Sequence, residues 1–290
     1  MTTASGRAII LLAAVLWSTS ALFVKSPAFL EWPAESRGLT LAFWRAVFAS
    51  LLLAVCVRRI RWDKRLWLSG LTFAVMNVTY LSAMVYVEAS LTIWLQYTAP
   101  FWVLAGGWVL LRERPPRSQL PSWIVLGIGV CVVLTTCDWT GSPLGIAFGL
   151  MSGVCFAGVV LLLRWMRDLD SAWVILVNHL VTALLLAPVV AWMGIWPTAS
   201  QCGLLAMFGM LQMGLPYVLF AVAIRSVPSA QASALLLLEP LLLPIWVWLA
   251  YRHLPDYQSP HVGTLIGGGL IVVGLVMQLR QRVDPIQQQS

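Results

Sequence analysis

Three ionisable side chains lie deep within apolar runs of this 290-residue chain, and each has a different chemistry: Arg45, His179 and Glu239. An ionisable group inside a bilayer costs on the order of 3 kcal/mol or more, so each is a functional candidate. Arg45 offers a bidentate fork that suits a carboxylate; it can also snorkel to the outer headgroups or pair with Glu35 or another acid. Glu239 can carry a proton or meet an ammonium group. Alternatively, as the protonated acid, it can bond to the carbonyl that Pro240 leaves without an amide donor. His179, next to Asn178, can relay a proton, hydrogen-bond a ligand, or serve as a structural donor.

Neutral residues extend this set. Asn77, Tyr80 and Met84 recur at helical spacing and share one face. Gln96, Gln212 and Tyr217 need polar partners that either neighbouring helices or a substrate can supply. Of the 16 tryptophans, Trp32, Trp62, Trp67, Trp108, Trp123, Trp139, Trp165, Trp173, Trp192 and Trp196 fall near run ends and read as an interfacial belt. Trp17 and Trp102 fall near run centres, and Trp44, Trp94, Trp246 and Trp248 in the outer third. Tryptophans so placed can line a central cavity, where stacking or cation–π contact suits a flat or cationic ligand. The candidate substrate-binding set is therefore Trp17, Trp44, Arg45, Asn77, Tyr80, Trp102, His179, Tyr217 and Glu239, with Pro100 and Pro240 as hinges.

Composition defines the elements that must hold these residues. With 60% hydrophobic and 10% charged residues, the chain reads as a polytopic membrane protein. About 20 apolar residues cross a bilayer as a helix. Ten such runs are predicted, at 7–24, 39–57, 66–87, 91–111, 121–137, 143–163, 173–193, 201–222, 229–250 and 260–279. With the N-terminus in the cytoplasm, 14 basic loop residues lie inside, against Lys25, Arg37 and Arg252 outside. That bias predicts both termini cytoplasmic. The cluster Arg58, Arg59, Arg61, Lys64 and Arg65, flanked by Trp62 and Trp67, reads as an anchor for anionic lipid and not as a nucleic-acid site. The first run resembles a signal peptide in position, but removing it would leave nine spans. Cys56, Cys131, Cys137, Cys155 and Cys202 are scattered and read as small membrane-buried hydrophobes; no metal or cofactor is expected.

The chain carries one segment twice. YTAPFWVLAGGWVLLRERP and LLEPLLLPIWVWLAYRHLP align at an offset of 140 residues, pairing Pro100 with Pro240, Trp108 with Trp248, Arg112 with Arg252 and Pro115 with Pro255. The same shift pairs Gly127-Ile-Gly129 with Gly267-Gly-Gly269. Five spans per half is an odd number, so the two copies must cross the membrane in opposite directions. Inverted repeats of this kind place a substrate site near the midplane and permit alternating access. The predicted fold is all-α, ten transmembrane helices in two inverted five-helix repeats, 1–138 and 139–290. Gly145, Gly149 and Gly153, with the glycines from Gly263 to Gly269, read as close-packing faces.

Trp17, Phe43-Trp44-Arg45, Arg112-Glu113-Arg114-Pro115 and Glu239-Pro240, set in ten spans, resemble the drug/metabolite transporter superfamily, EamA type. His253 stands where the second copy would usually carry a glutamate like Glu113. The resemblance implies a cavity built by the first four helices of each half and a secondary transporter in the inner membrane. Its richness in tryptophan looks most like the aromatic amino acid exporters of that superfamily, so the expected substrates are amino acids, aromatic ones foremost. The rival readings are a broad exporter of cationic or amphipathic drugs, a nucleotide-sugar or phosphate-ester exchanger, which one basic residue within a span, Arg45, supports weakly, a channel, or a membrane-embedded enzyme. No HExxH, GxSxG or P-loop spacing supports an enzyme. The expected partners are the substrate and the lipid bilayer, with the fifth or tenth helix as a surface for self-association.

Overall fold

The computed structural model describes residues 2–103, 117–139, 142–223, 226–227, 229–255 and 257–287, and its regular structure is helical. Helices α1 (Thr3–Ser18) and α2 (Ser20–Val24) form the first span, followed by α3 (Ala34–Ala54), α4 (Arg65–Tyr86) and α5 (Ala89–Gln96). After them come α6 (Leu120–Thr136), α7 (Pro143–Trp165) and α8 (Ser171–Met193). Helix α9 (Ala199–Met207) runs through a π-helical stretch, Phe208–Gly214, into α10 (Leu215–Ala223). Helices α11 (Ser229–Leu236), α12 (Leu238–Tyr251) and α13 (Val262–Gln287) complete the chain. Among the described residues, eight helical segments are long and apolar enough to cross a membrane. The expectation of ten exceeds this by two: α6 has 17 residues, and residues 104–111 of the fourth run lie outside the described residues. Trp108, Arg225 and the Arg112-Glu113-Arg114-Pro115 motif also lie outside them.

Glycine decides which helices meet closely. A methyl group on Gly149 would lie 2.6 Å from Leu95 Cδ1, and one on Gly153 would lie 2.8 Å from the Leu95 carbonyl, so the GxxxGxxxG face of α7 is spent on α5. Helices α6 and α13 touch through Gly129 and Gly267, where a methyl on either would come within 2.7 Å of the other's carbonyl oxygen.

The helices that hold the candidate residues are broken, and the sequence accounts for each break. The fourth span breaks after α5 at Tyr97 and Thr98, the turn before Pro100, where Tyr97 N still donates to Ile93 O at 2.9 Å but Thr98 N donates to Leu95 O at 3.2 Å. The ninth span does the same at Leu237, before Pro240, with Leu237 N donating to Ala234 O at 3.2 Å. Proline supplies no N–H to the carbonyl four residues back and clashes with it, so the preceding turn shifts to i→i+3 bonding. These two breaks are 140 residues apart, the offset of the repeated segment. The first span breaks at Thr19 because Ser18 and Thr19 hydroxyls bond back to Val15 O at 2.6 Å and Leu16 O at 2.7 Å, competing with the ladder. The π-helical stretch sits just before Pro216, whose missing N–H again leaves a carbonyl free.

One end of the bundle is basic. There Arg65 donates to Asp63 at 2.7 Å, to Asp168 at 3.0 Å and to the Trp165 carbonyl at 3.0 Å, tying the loop after α3 to the loop after α7. Trp173 was expected in the interfacial belt but is buried; it stacks edge-on against Trp62 at 5.1 Å and donates to Arg61 O at 2.9 Å. Trp32 is likewise buried, tilted against Phe29 at 4.9 Å. Trp173 ties the loop after α3 to α8, and Trp32 packs within the connection before α3. Hydrogen bonds from Arg65 hold the Asp63 carboxyl down at about 2, and the same guanidinium lowers that of Asp168. A depressed carboxylate stabilises the fold above its ordinary range and loses that effect as pH falls through its folded value. Asp63→Asn is therefore expected to lower Tm by an amount that is constant from pH 5 to 8 and shrinks only below about pH 4, checked by fluorescence melts in detergent.

Candidate functional site

The four breaks face one another, and their side chains join them. Gln212, in the π-helical stretch, donates to the Trp17 carbonyl at 2.9 Å. Trp246 of α12 donates to Ser18 Oγ at 2.8 Å. Tyr97 OH donates to Glu239 Oε2 at 3.5 Å, so the break in one repeat copy bonds to the break in the other. Irregular backbone at membrane depth is tolerated where protein or a polar cavity re-satisfies it, and discontinuous helices of this kind mark binding sites in transporters.

A cavity of about 970 Å³ leads towards this junction from the basic end, with Arg58, Arg59, Asp168 and Asp170 among the residues lining it and Tyr217 and Phe220 on its α10 wall. Trp17 meets Tyr217 edge-on at 5.1 Å and Phe220 at 5.9 Å, which makes an aromatic corner. His179 continues it, 6.5 Å from Tyr217 and 4.8 Å from Phe73. The opposite end is closed: Phe23 stacks on Phe208 at 5.0 Å, Tyr251 donates to Leu22 O at 2.5 Å, Lys25 to Val87 O at 2.9 Å and Gln201 to Ala28 O at 2.6 Å.

Behind the aromatic corner the polar residues are buried. Arg45 is 3% exposed, donates to Asn77 Oδ1 and lies over the Phe208 ring at 5.0 Å. It therefore neither snorkels to headgroups nor bonds to Glu35. Asn77, Tyr80 and Met84 are all buried, as one inward face requires, and Tyr80 OH pairs with Ser20 Oγ at 3.2 Å. His179 is 0% exposed, and neither ring nitrogen has a partner. Glu239 and Tyr217 are half-buried and lie within electrostatic reach of Arg45.

The structure thus brings together Trp17, Arg45, Asn77, Tyr80, His179, Tyr217 and Glu239 from the expected set. Trp44 lies apart, packed on Phe43, Phe48 and Trp196. Trp102 is 42% exposed, with its indole donating to Thr98 Oγ1 at 3.2 Å on the outside of the fourth span. Sequence reasoning missed Tyr97, Gln212's backbone role, Ser18 and Phe220. Tyr97 could have been found, since a tyrosine three residues before a repeated proline must fall in the break.

A model of the EamA-like transporter family matches residues 4–135 and again 143–280, nearly the whole chain in two copies. The chain belongs to the EamA-like transporter family. Its relatives include an uncharacterized transporter of Archaeoglobus fulgidus, 29% identical over 95% of this chain and 97% of that protein. The pseudopaline exporter CntI of Pseudomonas aeruginosa is 23% identical over 96% of this chain and 97% of its own length. A protein of known crystal structure shares the fold at TM-score 0.67 and 17% identity, over 94% of this chain and 97% of that one. The chain is therefore a multi-pass membrane transporter.

Proposed function

We propose that this transporter exports amino acids, aromatic ones foremost, across the inner membrane by alternating access between two inverted five-helix repeats, 1–138 and 139–290. The observation that carries the reading is the junction itself: the aromatic corner of Trp17, Tyr217 and Phe220 lies beside a carboxylate, Glu239, and a buried guanidinium, Arg45. A ring and two opposite charges are what a zwitterionic aromatic amino acid presents. The matched breaks at Tyr97 and Leu237 support the repeat, since each copy then carries one gate hinge, at Pro100 and Pro240. With the basic end and both termini in the cytoplasm, the cavity opens inward and the contacts around Phe23 and Tyr251 form the closed outer gate. A relative named as an exporter favours that direction.

Asn77, Tyr80 and His179 then stand behind the substrate, with Trp44 and Trp102 as residues of the moving helices. The glycine faces of the fifth and tenth spans are spent on each other, so self-association would use their opposite faces, around Ile124 and Ile128 or Ile266 and Val273. Phenylalanine-loaded proteoliposomes are expected to show counterflow of labelled phenylalanine at least about tenfold above protein-free vesicles. Equal rates would end the aromatic assignment. A second reading, export of cationic amphipathic compounds, is favoured by the same aromatic corner beside Glu239; it predicts competition by a cationic dye and none by phenylalanine.

A further inference from the structure

We infer that Arg45 and Asn77 form a receptor for a single carboxylate, which fixes the orientation of the substrate; this rests on the amino-acid reading above. Among the described residues the ion pairs join Arg61 and Arg65 to Asp63 and Asp168, and Arg45 is in none of them. The guanidinium bonds to Asn77 Oδ1, yet its Nε has no acceptor. Because Asn77 commits its oxygen to Arg45, its amide nitrogen must point elsewhere, and Asn77 Nδ2 also lacks an acceptor. Arg45 is 97% buried and Asn77 fully so. No carboxylate bonds to it, Glu239 lying only within electrostatic reach, and a buried cation whose charge is met by no direct partner is costly in a protein interior. Both unsatisfied groups are donors and one is cationic, so the complement is an anion with two acceptor atoms. Water would satisfy the N–H groups but not the charge.

The site selects among anions. One guanidinium matches one negative charge, whereas a phosphate ester would want a second cation. His179, fully buried beside Tyr217 with both ring nitrogens free of partners, adds a further donor in its neutral form. Tyr217 connects the receptor to the entry route, since it also lines the 970 Å³ cavity. Glu239, bonded only by Tyr97 OH at 3.5 Å among the described residues, is left for the ammonium group. The carboxylate therefore faces α3 and α4, the ammonium faces α12, and the ring rests on Trp17 and Tyr217.

The test uses three probes on purified full-length protein, read as ligand-induced shifts in Tm: phenylalanine, 3-phenylpropionate, which lacks the ammonium, and phenethylamine, which lacks the carboxylate. In Arg45→Met the shift with 3-phenylpropionate is expected to vanish and the affinity for phenylalanine to fall about 10- to 100-fold, while phenethylamine binding is kept. Ligand-free Arg45→Met should melt close to the parent, because removing a poorly compensated buried charge offsets the loss of the bond to Asn77 Oδ1. Asn77→Ser should weaken 3-phenylpropionate less than Arg45→Met does. Binding of 3-phenylpropionate to Arg45→Met at parental affinity would overturn the inference, as would a lower ligand-free Tm together with loss of phenethylamine binding, which marks a structural arginine. If 3-phenylpropionate binds through Arg45 but phenylalanine shows no counterflow, the receptor stands and the amino-acid reading falls. If no probe shifts the parent protein, both fall.

Discussion

Gly267→Leu is expected to leave little folded protein, and Gly267→Ala to cost about 3 kcal/mol, with a matching fall in Tm and in the yield that survives detergent extraction. A methyl group there would lie 2.7 Å from Gly129 O, 2.7 Å from Val133 Cγ2 and 2.9 Å from Val133 N. Two of those three neighbours are backbone, which cannot rotate away, so α6 and α13 would have to separate along their length. The contact is reciprocal, because a methyl on Gly129 would meet Gly267 O at 2.7 Å and Ile271 N at 2.8 Å. Helices in lipid associate through van der Waals packing without a hydrophobic drive, so losing close approach removes most of what joins this pair. Two residues along, Gly269 has nothing within 4 Å of its would-be methyl. Gly269→Ala should therefore change stability by less than about 0.5 kcal/mol, and melting both variants side by side checks the argument.

That contrast shows how far the sequence could be read. Small residues at helical spacing marked α7 and α13 as closely packed, because only glycine lets backbones approach and the spacing is visible in one dimension. Which of Gly267, Gly268 and Gly269 faces the partner depends on helix rotation, which the spacing of three consecutive glycines cannot give. The site divides in the same way. Arg45, Asn77, Tyr80, His179 and Glu239 stood out because polar groups are costly in lipid, and they are brought to one junction. Tryptophan carries no such signal, since it is at home both at an interface and in a core: Trp17 lies in the aromatic corner, whereas Trp44 packs on Trp196 and Trp102 is exposed. The breaks before Pro100 and Pro240 were legible from the prolines. Those at Thr19 and Phe208–Gly214 were not, because hydroxyls that bond back along a helix do not always break it, and Pro216 frees a carbonyl without dictating that the ladder widens into a π-helical stretch.

Glu239→Gln is expected to cut phenylalanine counterflow about 10- to 100-fold while the protein remains folded, with Glu239→Asp intermediate. The first repeat has Ala99 at the matching position, so the repeat architecture does not need a carboxylate before the proline. Packing does not demand it either, since among the described residues its one side-chain bond is from Tyr97 OH at 3.5 Å, the outer limit of a useful hydrogen bond. Tyr97→Phe should therefore cost far less than Glu239→Gln. Glu239 lies in the first turn of α12, just after the break at Leu237, and is half-buried beside the aromatic corner. A carboxylate held there with so little bonding is best explained by a partner that comes and goes. If that partner is the substrate ammonium, Glu239→Gln raises the apparent KM for phenylalanine and leaves the Tm shift with 3-phenylpropionate intact. If it is a coupling proton, the variant loses the pH dependence of transport at unchanged KM. Unchanged kinetics on both counts would assign Glu239 to the closing contact with Tyr97 alone, so the two measurements together separate substrate binding, coupling and gating at one residue.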